Sequence, residues 1–259
     1  MFSPVTKQGQ HSLKEDRKMT KDTIAVFLTD YSTKYEHKYG NFAQQSIQVL
    51  RNAGFGGEVR IYDSIKSEFP TEDELQTIRA IWITGSESDA FADVPWINTL
   101  CDYLKALIDR QRVPIIGICF GHQIIGRVYG SRVGRNPKSW EFGTYEVVLN
   151  EDVEIRELFS DMGEKFNILE VHQDVVFDCP EGLKLIGSTD NTVIQGFYKK
   201  GEVISFQGHP EFTLDFQSEM LQGFQKDGKF STEQVEQFSK RLVPDQGIEL
   251  TKVILKFIE

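Results

Sequence analysis

Apolar residues fall along this chain in two rhythms, short continuous runs and helical stripes, and the two alternate. Thr23–Leu28 is a continuous apolar run of strand length, the pattern of a strand buried on both faces. It ends in Thr29-Asp30-Tyr31, and the spacing then predicts a helix over 42–52, stopped by Gly54, Gly56 and Gly57. Glu58–Tyr62 alternates like an edge strand, and Ala80–Thr84 is a short strand ending in Gly85-Ser86. Pro95 suits the first turn of a helix that runs to about Arg110, with Ile97, Leu100, Cys101, Leu104, Leu107 and Ile108 on one stripe. Val113–Ile118 is the next strand, and a helix follows at once, ending near Gly130. Such alternation predicts an α/β fold with an open, doubly wound, mostly parallel sheet and helices on both faces. Ligands in these sheets bind at the carboxyl ends of the strands, where Asp30, Gly85-Ser86 and Cys119 all fall.

The second half changes character. Short apolar runs at Thr144–Leu149, Phe166–Val171, Val175–Phe177, Leu183–Ser188, Thr192–Tyr198 and Val203–Gln207 are separated by turn residues, which predicts an added set of short antiparallel strands. After His209-Pro210-Glu211 the pattern is helical, with a capping box at Ser231–Gln234 and a closing apolar face of Leu250, Val253, Ile254, Phe257 and Ile258. No internal repeat interrupts residues 23–259, which we take as one domain. Residues 1–22 are polar, with a charged Lys14–Lys18 cluster and no apolar core of a secretory signal, so a disordered extension is expected.

Composition narrows the partners. Apolar residues make up 39% of the 259 and aromatics 12%, enough for a sizeable core. A net charge of −10 speaks against nucleic acid or an anionic membrane surface as the main partner. No apolar run reaches the roughly 20 residues of a membrane span. The three cysteines are scattered, with neither a disulfide framework nor metal-ligand spacing, so the reducing cytoplasm is the expected compartment. No phosphate loop or dinucleotide fingerprint is present, and no cofactor or metal is expected.

The chemistry concentrates at Gly117-Ile-Cys-Phe-Gly121. A strand that turns sharply into a helix between small residues presents its turn residue above the sheet in strained backbone angles, as a nucleophile elbow does. It also sets Cys119 at a helix N-terminus, where the dipole favours a thiolate. A thiol nucleophile needs a base, a group that orients the base, and donors for an oxyanion. His209 follows the strand-like run Val203–Gln207, and Glu211 lies two residues on. In an extended segment the two side chains point the same way, so Glu211 can hold the second imidazole nitrogen. His122 lies inside the helix and points away from the elbow, while Cys101 and Cys179 read as packing residues.

Gly117–Gln123, followed by His209-Pro-Glu211, resembles the class I glutamine amidotransferase family, most closely its stand-alone γ-glutamyl peptidase-like branch. The likeness extends to Thr84-Gly-Ser86 and Glu141-Phe-Gly143 and covers most of residues 23–215. It implies a flavodoxin-like three-layer domain acting on a small γ-glutamyl substrate. Cys119 would be the nucleophile that forms a γ-glutamyl thioester, His209 the general base and acid, and Glu211 the orienting group. The resemblance also implies an oxyanion hole from the Phe120 N–H and one from Gly85 or Ser86, with Gln123 touching the glutamyl group. Many members read Gly-Gly-Pro where this chain reads Gly85-Ser86-Glu87, which keeps backbone donors but leaves open which one serves. Glu170–Asp174 is similar to the family segment beside the substrate's α-amino and α-carboxyl groups, making His172 and Asp174 candidate contacts. Asp89 either faces the substrate or caps the helix at Pro95. The expected function is hydrolysis of a γ-glutamyl amide in glutathione-like peptides, conjugates or glutamine. The alternatives are a glutaminase subunit that feeds ammonia to a separate acceptor protein, and an inactive module that binds γ-glutamyl ligands.

Overall fold

A computed structural model describes residues 21–31 and 34–259, so residues 1–20 of the expected extension lie outside the described residues. Strand β1 (Thr23–Leu28) is buried along its whole length. Helices α1 (Glu36–Tyr39) and α2 (Phe42–Asn52) follow, then β2 (Glu58–Asp63), β3 (Ile78–Ile83), α3 (Pro95–Asp109), β4 (Ile115–Ile118) and α4 (Phe120–Val128). The start of α2 is fixed by a capping box in which Asn41 and Gln44 satisfy each other's backbone N–H groups. The second half supplies β5 (Val133–Arg135), β6 (Glu141–Leu149), α5 (Val153–Leu158), β7 (Lys165–His172), β8 (Asp174–Val176), β9 (Lys184–Leu185), β10 (Gly187–Ser188), β11 (Gly196–Lys199) and β12 (Val203–Phe206). Helices α6 (Leu214–Lys226), α7 (Thr232–Ser239) and α8 (Gly247–Phe257) close the chain. Among the described residues no helix is long and apolar enough to cross a membrane.

The central sheet has seven strands in the order β2-β1-β3-β4-β12-β11-β9. The pairings from β2 through β12 are parallel, and β11 and β9 add an antiparallel edge. Two small antiparallel sheets, β10-β6-β7 and β5-β8, lie outside it. The expected doubly wound sheet with added short strands is therefore present. Three expectations shift. β6 begins at Glu141, not Thr144, so Glu141-Phe-Gly143 is also strand, paired with Glu170–His172. Leu183–Ser188 divides into β9 and β10, which serve different sheets. The run at Thr192–Tyr198 becomes strand only from Gly196, after a turn in which Thr189 and Thr192 bond each other.

Parity along the strands divides the core. Ile24, Val26, Trp82, Ile116 and Ile118 pack on the side of α2 and α8, whereas Ala25, Phe27, Ile81, Ile83 and Ile115 pack on the side of α3 and α4. A third cluster is aromatic: Phe142, Phe212, Phe216, Phe230 and Phe238 join α6 and α7 to the β6–β7 ribbon. These helices thus stand beside the carboxyl ends of the parallel strands instead of covering a sheet face.

The turn from β4 into α4 depends on two glycines. A Cβ on Gly117 would lie 2.5 Å from Ile125 Cδ1 and 2.7 Å from the Gly121 carbonyl carbon, and one on Gly121 would lie 2.6 Å from the Ile83 carbonyl oxygen. Helix α4 therefore crosses the strand ends at a distance that excludes side chains there. Gly121→Ala should destabilise the protein by about 1–3 kcal/mol, the usual scale for overpacking. Urea denaturation checks this; an unchanged midpoint would show that the contact is not limiting.

Candidate active site

At the end of β4 the chain reverses into α4 through Cys119, whose φ is 50° and ψ −100°. Cys119 is one of three described non-glycine residues with positive φ. Two backbone bonds hold it there: its N–H donates to Phe206 O at 2.8 Å, and its carbonyl accepts from Gln123 N at 3.0 Å. A strained residue needs such over-determination. The thiol is 6% exposed at the floor of a cavity of about 250 Å³. Burial pushes its pKa well above the usual thiol range, and the carboxylates of Glu170 and Glu211 add to this, against a lowering contribution from the Phe120 N–H. Desolvation thus works against the thiolate that the helix N-terminus favours, and the net shift is upward.

His209 lines the same cavity. Its N–H is fixed to Leu169 O at 2.8 Å, and its ring stacks on Phe212 with centroids 3.9 Å apart. Nδ1 lies 2.9 Å from Glu211 Oε1, both residues being buried. That leaves Nε2 as the nitrogen free to exchange a proton. The turn after β3 approaches both groups: a Cβ on Gly85 would lie 2.8 Å from His209 Cε1 and 3.7 Å from Cys119 Cβ. Glycine is required for that approach. The turn is held from β1. Thr29 Oγ1 donates to Gly85 O at 2.9 Å, and Asp30 Oδ2 accepts from Ser86 Oγ at 3.1 Å and from Glu87 N at 2.7 Å. Asp30, noted in the sequence only for its strand-end position, is what shapes this turn.

The expected substrate contacts divide. Asp89 and Asp174 line the cavity, joined by Arg135: Nη2 lies 3.0 Å from Asp89 Oδ1 and Nε 3.1 Å from Asp174 Oδ1. Asp89 does not cap α3, whose N-cap is Val94. Gln123 is buried, and its amide nitrogen donates to Asp174 O at 3.0 Å and Gln207 Oε1 at 3.1 Å, so only its Oε1 remains for a ligand. His172 touches the cavity wall, but both ring nitrogens face partners. Nδ1 donates to Asp174 O at 3.0 Å, and Nε2 lies 2.8 Å from Glu141 Oε2 and 3.3 Å from Glu170 Oε2. It organises the floor rather than offering a donor. His122 points away as expected, with Nδ1 2.9 Å from Ser205 Oγ, and burial lowers its pKa to about 3.

Beneath the floor, Glu141, Glu170 and His172 place donor atoms within 4.8 Å of one another, a spacing a cation would tolerate. The 2.8 Å contact is a hydrogen bond, and Glu141 also accepts from Thr189 at 2.5 Å and Gln195 at 2.9 Å. Burial raises the Glu141 pKa, yet these bonds and the neighbouring His172 outweigh it, for a net lowering. Glu170 has no hydrogen-bonded oxygen, and burial followed by repulsion from Glu141 raises its pKa well above the usual carboxylate range.

The cavity's remaining wall was not foreseen. Phe212, Met220, Phe224 and Lys229 come from α6 and its flanks, a region expected only to pack. The missed signal is the Phe224-Gln-Lys-Asp-Gly-Lys-Phe230 ending, where apolar residues flank a glycine stop.

A doubly wound α/β domain with a cysteine elbow facing a His–Glu pair defines the class of protein. The profile of the class I glutamine amidotransferase family matches residues 38–226, and the chain belongs to that family. A glutamine amidotransferase-like protein of Schizosaccharomyces pombe is 34% identical over 236 residues, covering 85% of this chain and 91% of its own. γ-Glutamyl peptidase 2 of Arabidopsis thaliana is 36% identical over 172 residues, covering 65% of this chain and 69% of its own. The crystal structure of a glutamine amidotransferase from Thermotoga maritima shares the fold, with a TM-score of 0.69 at 18% identity over 92% of this chain and 99% of that one.

Burial raises the Asp174 pKa to about 6, despite the opposing charge of Arg135, with Asp89 adding to the rise. The folded state therefore prefers the protonated acid. This contribution to stability is full below the unfolded pKa of about 3.9 and is lost as pH rises through about 6. Denaturant titrations at pH 4, 5 and 6 should show wild type losing stability relative to Asp174→Asn over that window. Parallel pH profiles would contradict the assignment.

Proposed function

We propose that the protein is a cysteine hydrolase of γ-glutamyl amide bonds. One observation carries the reading: Cys119, held on a strained strand-to-helix turn, shares a cavity with His209, whose Nδ1 lies 2.9 Å from Glu211. His209 Nε2 takes the Cys119 proton as sulfur attacks the γ-carbonyl carbon. The carbonyl oxygen becomes an oxyanion, met by the Phe120 N–H and one from Gly85 or Ser86; Glu87 is already committed to Asp30. The tetrahedral species collapses as His209 passes its proton to the departing amine. That leaves a γ-glutamyl thioester, and water activated by His209 then releases glutamate and the thiol. Glu211 acts through His209, fixing its tautomer and stabilising the imidazolium. Asp174 and Asp89 suit the substrate's α-ammonium, and Arg135 its α-carboxylate. Relatives named γ-glutamyl peptidases favour a peptide-like amide over delivery of ammonia to a partner protein.

Purified protein incubated separately with γ-glutamyl-cysteinyl-glycine, an S-conjugate of it, and glutamine should release glutamate from the peptides without a second protein. Release only after a partner is added would favour the amidotransferase-subunit alternative. Cys119→Ala should abolish turnover. Glu211→Gln should lower kcat by about 10²–10⁴, a smaller loss, because orientation goes while the nucleophile stays. Wild-type kcat in either variant would sink the mechanism.

A further inference from the structure

A cation sits on the cavity wall beyond the part of the chain that the family profile covers. Helix α6 ends in a Schellman motif: Gly228 takes φ 71°, Gly228 N–H donates to Gln225 O at 3.0 Å, and Lys229 N–H donates to Phe224 O at 2.8 Å. The next residue, Phe230, is buried in the aromatic cluster. Lys229 is therefore anchored on both sides. Although the residue is exposed along its length, its ammonium lies over two rings, 4.0 Å from the Phe224 centroid and 4.7 Å from that of Trp140. It lines the cavity that holds Cys119 and His209.

The two cations of this cavity differ in their partners. Arg135 is already joined to Asp89 and Asp174. Among the described residues no carboxylate lies within 4.0 Å of Lys229 Nζ; Glu87 and Asp227 attract it only at longer range. Burial lowers the Lys229 pKa and Arg135 adds to the lowering, with no ion pair among the described residues to offset them. The γ-glutamyl group brings one ammonium and one carboxylate, which the Asp89–Arg135–Asp174 cluster matches in sign. Lys229 is then left for a second carboxylate.

We infer that Lys229 receives a free carboxylate on the leaving-group side of the scissile amide, so that γ-glutamyl peptides with an ionised C-terminus are the preferred substrates. This rests on the γ-glutamyl hydrolase reading above. The anchored ammonium, set between aromatic rings at the cavity wall, needs little reordering to accept a charge-assisted hydrogen bond partner.

The test compares kcat/KM for γ-glutamyl-cysteinyl-glycine and its C-terminal amide, which share the same γ-glutamyl bond. Wild type should prefer the acid by about tenfold or more, the scale of one charge-assisted hydrogen bond. In Lys229→Met the acid-to-amide ratio should fall toward one, and Lys229→Arg should restore much of it. Because each ratio is taken within one protein, a general loss of folding or chemistry cancels. A wild-type ratio near one, or a ratio that Lys229→Met leaves intact, overturns the assignment while leaving the hydrolase reading in place. No turnover of either peptide by wild type overturns both.

Discussion

The site depends on one close approach, that of Gly117 to Gly121 where β4 turns into α4. Without side chains at these positions the helix lies against the strand ends, and Ile83 O lies 2.6 Å from where a Gly121 Cβ would be. That contact fixes the crossing, and the crossing holds Cys119 in a backbone conformation that a cysteine would not adopt unaided. Everything the cysteine meets is positioned from the same set of strand ends. β3 delivers the Gly85 turn, β1 delivers the Asp30 that shapes it, and β12 leads into the segment that carries His209 and Glu211. Parallel strands ending together place these groups around one point, although they come from distant parts of the sequence.

Charge beneath that point is arranged with equal care. Burial raises the pKa of the Cys119 thiol, and the carboxyl groups of Glu170, Glu211 and Asp174 add to the rise. Burial raises the pKa of Glu170 itself, and His172 Nε2 lies 3.3 Å from it and 2.8 Å from Glu141. In the proposed mechanism activation falls to His209, held by Glu211, and the thiol proton moves as the carbonyl is attacked.

Much of this was legible in the sequence, for local reasons. The elbow was visible because glycine spacing and an apolar run encode a strand-turn-helix within a few residues. His209 and Glu211 were visible because they sit two apart in an extended segment. The mostly parallel, doubly wound sheet followed from alternation alone. What escaped depended on non-local pairing. Glu141 joined β6 because its partner, His172, lies far away in the chain, and no local signal marks that register. Gln123 and His172 are candidate substrate contacts in the sequence, which does not show that their nitrogens face Asp174 O, Gln207 and Glu141. The helix terminus is a local signal for the thiol, whereas the burial and the distant carboxyl groups that raise its pKa are not legible in the sequence. The helices after Glu211 read as packing because amphipathic stripes show that a face is buried, but not that its end walls a cavity.

The most direct measurement uses a glutamine-shaped chloroketone, which carries its electrophilic carbon where the γ-carbonyl carbon would sit. Intact-mass and peptide-mapping spectrometry should find one adduct per chain, on Cys119, with a γ-glutamyl peptide protecting against it and activity lost in proportion. Loss of activity with the adduct on Cys101 or Cys179, or full labelling of Cys119 in an enzyme that still turns over γ-glutamyl peptides, would contradict the central role assigned to the elbow cysteine.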